Sequence, residues 1–321
     1  MTNENQLHTA TKHAGGMRSF KWYCKIFSIV FLYLSLAIVA SIYCLPAVKK
    51  QHFKGRIERS LAQMYDKDDL GASALFAGNF INLGFWDLPI HKGKISICER
   101  IESERNLYRL VGKKLELDGS ERVLDVGCGE GVGCALMLQE FSLKEIHGID
   151  LSLAQISRAE RINAVSMQKN RGRIFFKKGA AENIPYEPCS FEKIFSINAA
   201  QHFESLEKFA KEASRTLKPK GKVVIAALFG TSEKSQQLLA KNILTIKNGI
   251  DKTPTVCKFE EILKRNGFCH VKIESIGKNV WQGFDRWVAQ GSLKDSWTRN
   301  WYKEYRNGLL DYYIVSAEKR E

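Results

Sequence analysis

Residues 122–133 read RVLDVGCGEGVG: an apolar run, an acid, then glycine at every second position from Gly127 to Gly133. Val123, Leu124 and Val126 have the look of a buried strand. Glycine takes positive φ at no steric cost and lets another molecule lie against the backbone. The stretch that follows, GCALMLQEF (133–141), predicts a helix. A strand, a glycine loop and a helix in that order suit a nucleotide-like ligand.

Two ligand classes compete for the loop. A dinucleotide loop spaces its glycines G-x-G-x-x-G, and the third would fall on Val132. Asp125 would also repel a pyrophosphate. S-adenosylmethionine (SAM) carries an amino group and a sulfonium, so the acid favours SAM over NAD. Asp150 lies 19 residues beyond Gly131, at the end of the next predicted strand, where a carboxylate can accept both ribose hydroxyls of either ligand.

The pattern continues on both sides. Strands are predicted at 123–126, 145–150, 173–179, 191–198, 222–229, 270–276 and 311–319. Helices are predicted at 56–66, 103–117, 133–141, 153–170, 204–217 and 259–268. Seven strands alternating with helices predict an α/β fold, a doubly wound and mostly parallel sheet. Ligands of such sheets sit outside the carboxyl ends of the strands, where the strand order switches. Residues 125–131 are the natural candidate.

Composition sets the frame. The chain has 321 residues, 44% hydrophobic and 26% charged, which argues against wholesale disorder. Its net charge is +14, but no zinc finger, RNA-recognition signature or basic stripe with interleaved aromatics accompanies it, so no nucleic-acid partner is expected. The eight cysteines form no C-x-x-C pair and read as scattered thiols. His91 and His147 have no partners at metal spacing, and no metal site is expected.

Residues 1–21 read as a flexible tail. Residues 26–45, IFSIVFLYLSLAIVASIYCL, carry no charge over about the length that spans a bilayer as a helix. Trp22, Tyr23 and Tyr43 sit at its edges and Pro46 follows. A single-pass anchor over 22–46 is the favoured reading, with a cleaved signal peptide or a buried core helix as alternatives. Basic residues flank both ends, with a slight bias toward a cytosolic C-terminal domain.

At this point the motifs carry a resemblance. VLDVGCGEG (123–131), GIDLS (148–152), GAAENIPYEPCSFEKIFSINAAQHF (179–203) and LKPKGKVVIAALF (217–229) resemble, in order and spacing, class I SAM-dependent methyltransferases. The similarity is to the small-molecule subgroup of ubiquinone/menaquinone, tocopherol, sterol and macrolide type, over about residues 60–321. The resemblance implies a Rossmann-like fold, with a linker and N-terminal helical cap over 47–105, a methyltransferase domain over 106–321 and a lid near 230–256. It implies SAM as cofactor. It places Gly127, Gly129 and Gly131 against the methionyl part, with Asp125 near its amino group. Asp150 would hold the ribose with Leu151 against adenine, Ala181 and Glu182 would line the adenine end, and Asn198 would face the methionyl part and the acceptor. One departure is Ala180, where the subgroup usually has an acid toward the adenine amino group.

Methyl transfer needs alignment, a dry pocket and, for a weakly acidic acceptor, a base near the methyl. His202, just after the fourth strand, is the candidate base, or a residue that shapes the pocket. Aromatics at Phe76, Phe80, Phe85 and Trp86, and at Trp281, Phe284, Trp287, Trp297, Trp301 and Tyr302, suit core packing or an apolar acceptor pocket. The expectation is a methyltransferase acting on O, C or N of a small, apolar or amphiphilic acceptor, at a membrane and facing the cytosol. A non-catalytic module of the same fold, an NAD-dependent dehydrogenase and a protein or RNA methyltransferase are the rivals.

Overall fold

The computed structural model describes residues 70–321. The predicted tail, anchor and first helix (56–66) lie outside the described residues. Among the described residues, no helix is long and apolar enough to cross a membrane.

Seven strands form one sheet: β1 Arg122–Val126, β2 Glu145–Asp150, β3 Ile174–Lys178, β4 Phe191–Ile197, β5 Leu217–Gly230, β6 Phe268–Ser275 and β7 Leu310–Lys319. Their order is β3-β2-β1-β4-β5-β7-β6. β1 to β5 pair in parallel, while β7 runs antiparallel to both β5 and β6. The sheet is therefore mixed, with one strand reversed. The order turns between β1 and β4, which makes their carboxyl ends the crevice where such folds take ligands.

The strands alternate between two buried layers, as a sheet covered on both faces must. Val123, Ile146, Phe195, Val224, Ala226 and Ile314 pack against α1 Ile97–Leu115, α2 Val132–Glu140 and the later helices. Leu124, Val126, Ile194, Val223, Ile225 and Val315 pack on the opposite face. There they meet α5 Leu206–Thr216 and α8 Val256–Arg265.

Several boundaries differ from the sequence expectation for identifiable reasons. α1 starts six residues early because Ser96 caps it: the Ser96 hydroxyl accepts from Glu99 N–H, and the Glu99 carboxylate accepts from Ser96 N–H at 2.8 Å. The expected helix 153–170 breaks into α3 Leu153–Ile162 and α4 Ala164–Lys169. At the break, the Asn163 amide donates to Ala159 O (2.8 Å) and Glu130 O (2.9 Å), which ties α3 to the glycine loop. The expected lid contains two short helices, α6 Ser235–Leu239 and α7 Leu244–Lys247. The described part of the expected cap, before α1, is an irregular strap and not a helix, apart from one 3-10 turn at Leu70–Ala72. Two helices, α9 Gly277–Ala289 and α10 Asn300–Arg306, carry the downstream aromatics except Trp297, which opens the 3-10 turn Trp297–Arg299.

Candidate functional site

β1 delivers the chain to the crevice and the glycines turn it. Gly127, Gly129 and Gly131 have φ of 82°, 53° and 70°, a region side chains rarely enter. The turn is pinned from below, since Gly127 and Cys128 N–H both donate to Ile149 O, at 2.8 and 3.0 Å. A Cβ at Gly127 would lie 2.5 Å from the Ala199 methyl, and one at Gly131 would overlap the Phe176 ring. Bare backbone is a packing requirement here as well as a conformational one.

Asp150 ends β2 beside the loop. Its carboxylate accepts from Gly129 N–H at 3.0 Å and from Ser152 N–H at 2.9 Å. Leu151 follows with 55% of its surface exposed, an apolar side chain standing at the rim of the crevice. Asp125 lies beneath the loop, 1% exposed, with the Cys134 thiol donating to it at 3.5 Å. Burial pushes its carboxyl up to about 8, aided by the nearby Asp150 charge and opposed by the Cys134 bond. It is held as a neutral acid that a neighbouring cation would ionise.

Across the switch point, β4 ends at Ile197, and Asn198 takes φ 56°. Its N–H donates to Ala226 O (2.8 Å), and the Tyr312 hydroxyl approaches its Oδ1 at 3.4 Å while donating to Ala226 O at 3.0 Å. Tyr312 belongs to a buried aromatic cluster with Trp281, Trp301 and Tyr305. A 3-10 turn, Ala200–His202, brings the imidazole back toward the crevice. His202 Nδ1 lies 3.1 Å from Oδ1 of Asp251, on the lid. Its Nε2 lies 3.4 Å from the Gln201 amide nitrogen, which also donates to Asn198 O at 2.8 Å. After β3, Ala181 is buried, and the Glu182 carboxylate accepts from Ser205 N–H at 3.1 Å.

The crevice thus gathers Gly127, Gly129, Gly131 and Asp150 at the end of β1 and β2, and Asn198 and His202 after β4. Two groups of residues escape a linear reading. Asp251 is 49 positions from His202 and carries no motif. The strap is the other: the Asn79 amide donates to Glu130 Oε2 at 2.7 Å, and Ile81 stands 3.3 Å from where a Gly129 side chain would begin. The strap is held by a buried pair on α1. The Arg100 guanidinium meets Glu104 at 3.0 Å and donates to Leu75 O (3.1 Å) and Asn82 O (2.7 Å), while Glu104 accepts from Ala77 N–H (3.3 Å). Burial pushes the Glu104 carboxyl up. The only advance signal was Glu130 itself, a carboxylate inside a glycine loop.

These features fit SAM. The open backbone can lie against a methionyl chain, an ionisable acid sits below it, a carboxylate stands beside it at the end of β2, and an exposed apolar residue follows. Residues 124–225 match the family described as "Methyltransferase domain". Erythromycin 3''-O-methyltransferase of Saccharopolyspora erythraea is 26% identical over 270 residues, 75% of this chain and 84% of that one. Chloroplastic tocopherol O-methyltransferase of Arabidopsis thaliana is 24% identical over 298 residues, 82% of each. The geranyl diphosphate C-methyltransferase structure from Streptomyces coelicolor A3(2) shares the fold, with a TM-score of 0.68 at 16% identity, covering 82% of this chain and 98% of that one. The chain is a class I SAM-dependent methyltransferase, related to those that act on small molecules.

Proposed function

We propose that the enzyme methylates O, C or N of an apolar or amphiphilic acceptor at a membrane, with its catalytic domain facing the cytosol. SAM, when bound, would supply an electrophilic methyl to an electron pair of the acceptor, a lone pair on O or N or a π pair on C, and its sulfur would keep the pair of the broken C–S bond. Gly127, Gly129 and Gly131 give the methionyl part room, and Asp125 answers its ammonium. Asp150 takes the ribose hydroxyls, and Leu151, Ala181 and Glu182 line the adenine end. Asn198 faces the methionyl part and the acceptor. His202 takes the proton the acceptor gives up and becomes an imidazolium.

The observation that carries the acceptor class is the Tyr312 hydroxyl beside Asn198. It joins the packed cluster of Trp281, Trp301 and Tyr305 to the end of β4, so the wall behind Asn198 is built of aromatic rings. The relatives' names, with erythromycin, tocopherol and geranyl diphosphate among them, support small-molecule acceptors of apolar or amphiphilic character. The membrane side rests on the uncharged run 26–45, which lies outside the described residues. Anchoring raises the local concentration of bilayer-dissolved acceptors.

The test is transfer of labelled methyl from SAM by the purified full chain to lipid and polar extracts of its source cells. Label in the lipid extract, absent with Gly127→Arg, is the expected result. Label confined to the polar extract overturns the amphiphile and membrane reading.

A further inference from the structure

We propose that Tyr108 is a positioning residue for Asp125, its phenol hydroxyl donating to that carboxylate when the ammonium of SAM draws the proton off it. The inference rests on the reading of Asp125 as the partner of the ammonium.

The fourth glycine of the loop leads to it. Gly133 lies in the first turn of α2 without the positive φ of its three predecessors, so backbone conformation does not demand a glycine there. Tyr108, on α1, does. A Cβ at Gly133 would lie 2.1 Å from the Tyr108 ring and 2.4 Å from its hydroxyl oxygen. The missing side chain is a slot that lets the phenol reach in beneath the cofactor loop.

The slot ends beside Asp125. Along β1, Asp125 points to the same face as Val123, and that face is the one α1 and α2 cover. Phe195 stands directly opposite Asp125 on β4, and the Tyr108 ring meets it edge-on with centroids 6.3 Å apart. Cys134 follows Gly133 and holds its thiol 3.5 Å from Asp125 Oδ2. Tyr108 therefore packs between the two neighbours of Asp125, one on β4 and one on α2. Phe80 of the strap adds a third ring contact at 5.7 Å.

Both groups are short of partners. The Tyr108 hydroxyl makes no hydrogen bond among the described residues, although Tyr108 is only 7% exposed. The donor that meets Asp125 is a thiol, a weak one, and an ionised carboxylate this buried needs a stronger one. The other titratable groups facing the pair are Cys128 in the loop, Cys134 on α2, Asp150 at the end of β2 and Tyr312 on β7. Burial holds both thiols well above their usual range, and the Tyr312 hydroxyl donates to Ala226 O. Burial, and after it the Asp125 charge, hold the Tyr108 phenol up as well, so it stays a donor through neutral pH.

Tyr108→Phe tests this in the full chain, because it keeps the ring in the slot and removes only the hydroxyl. The Kd for SAM is measured for both proteins from pH 6 to 9, and the ratio of the two values is read, in which the titration of SAM itself cancels. Asp125 keeps its proton up to about 8 before binding. Below that, binding must ionise it, and the variant does so without the donor. A hydrogen bond to a charged group corresponds to about tenfold, so the variant should bind about tenfold more weakly at pH 6 and 7. Once Asp125 is ionised before binding, the donor acts in both states, and the ratio should shrink to about twofold at pH 9. In an Asp125→Asn background, Tyr108→Phe should cost less than about twofold. A ratio of one throughout, a ratio that stays high and flat with pH, or the full loss in the Asp125→Asn background overturns the pairing. Unchanged affinity in Asp125→Asn alone overturns the reading of Asp125, and the pairing with it.

Discussion

Replacing Asp125 by Asn should make stability depend differently on pH, and the structure sets the size of the effect. The carboxyl is 1% exposed and pushed up to about 8, against an ordinary value of 3.8. Between pH 5 and 8 the folded protein keeps this proton and the unfolded chain has lost it. Stability contributed by the group therefore falls as pH rises through that window, and stops falling once the folded state also ionises near 8. The slope is about 1.4 kcal/mol per pH unit, so the wild type should lose about 4 kcal/mol relative to Asp125→Asn across those three units. In a domain of this size that widens the Tm gap by roughly 10 °C in favour of the variant. Thermal unfolding of both proteins at pH 5, 6, 7 and 8 measures it. The same exchange should weaken SAM binding, because the variant cannot ionise beneath an ammonium. In the wild type at pH 7, SAM binding should release a proton, readable as a buffer-dependent heat in titration calorimetry. A Tm gap that is flat with pH would refute the reasoning.

Other outcomes follow from the same geometry. Gly131→Ala forces a side chain into φ 70° and onto the Phe176 ring; calorimetry should show SAM affinity falling at least tenfold, and urea titration a stability loss of about 2 kcal/mol. Asp150→Ala removes the acceptor of Gly129 and Ser152 N–H, so stability in urea unfolding should fall by about 1–3 kcal/mol and the Kd for SAM should rise on the order of 100-fold. Arg100→Met leaves Glu104 buried without its cation, which should cost about 3–5 kcal/mol in urea unfolding, whereas Arg100→Met with Glu104→Leu should cost clearly less.

The strands were legible because a sheet buried on both faces demands largely apolar runs, as at 123–126 and 222–229, whereas 145–150, EIHGID, was legible from its place after the helix 133–141. Positive φ at Gly127, Gly129 and Gly131 was legible for a similar reason, since little else tolerates it. What the sequence hid was non-local. β5 begins at Leu217, five residues before the expected 222, because Leu217 pairs with Phe191 on β4. Helix α9 was unmarked because Gly283 interrupts its pattern. That glycine is there for space, as a Cβ would overlap the Trp86 ring on the strap. His202 could be picked from its place after β4, whereas Asp251 becomes visible only when the lid folds back. Arg100 and Glu104 carry no motif in the sequence, and only their complete burial reveals a fastening for the strap.

The strap has one more implication. Asn79 bonds to Glu130, and Ile81 stands over Gly129, so the segment before α1 touches the cofactor loop directly. Thermodynamic reciprocity then applies. Whatever steadies the strap tightens the hold on SAM by the same factor that SAM steadies the strap. An acceptor or a bilayer that engages this segment would change cofactor affinity without touching it. The order in which the two substrates load, and the readiness of the spent cofactor to leave, would then be set at residues that take no part in the chemistry.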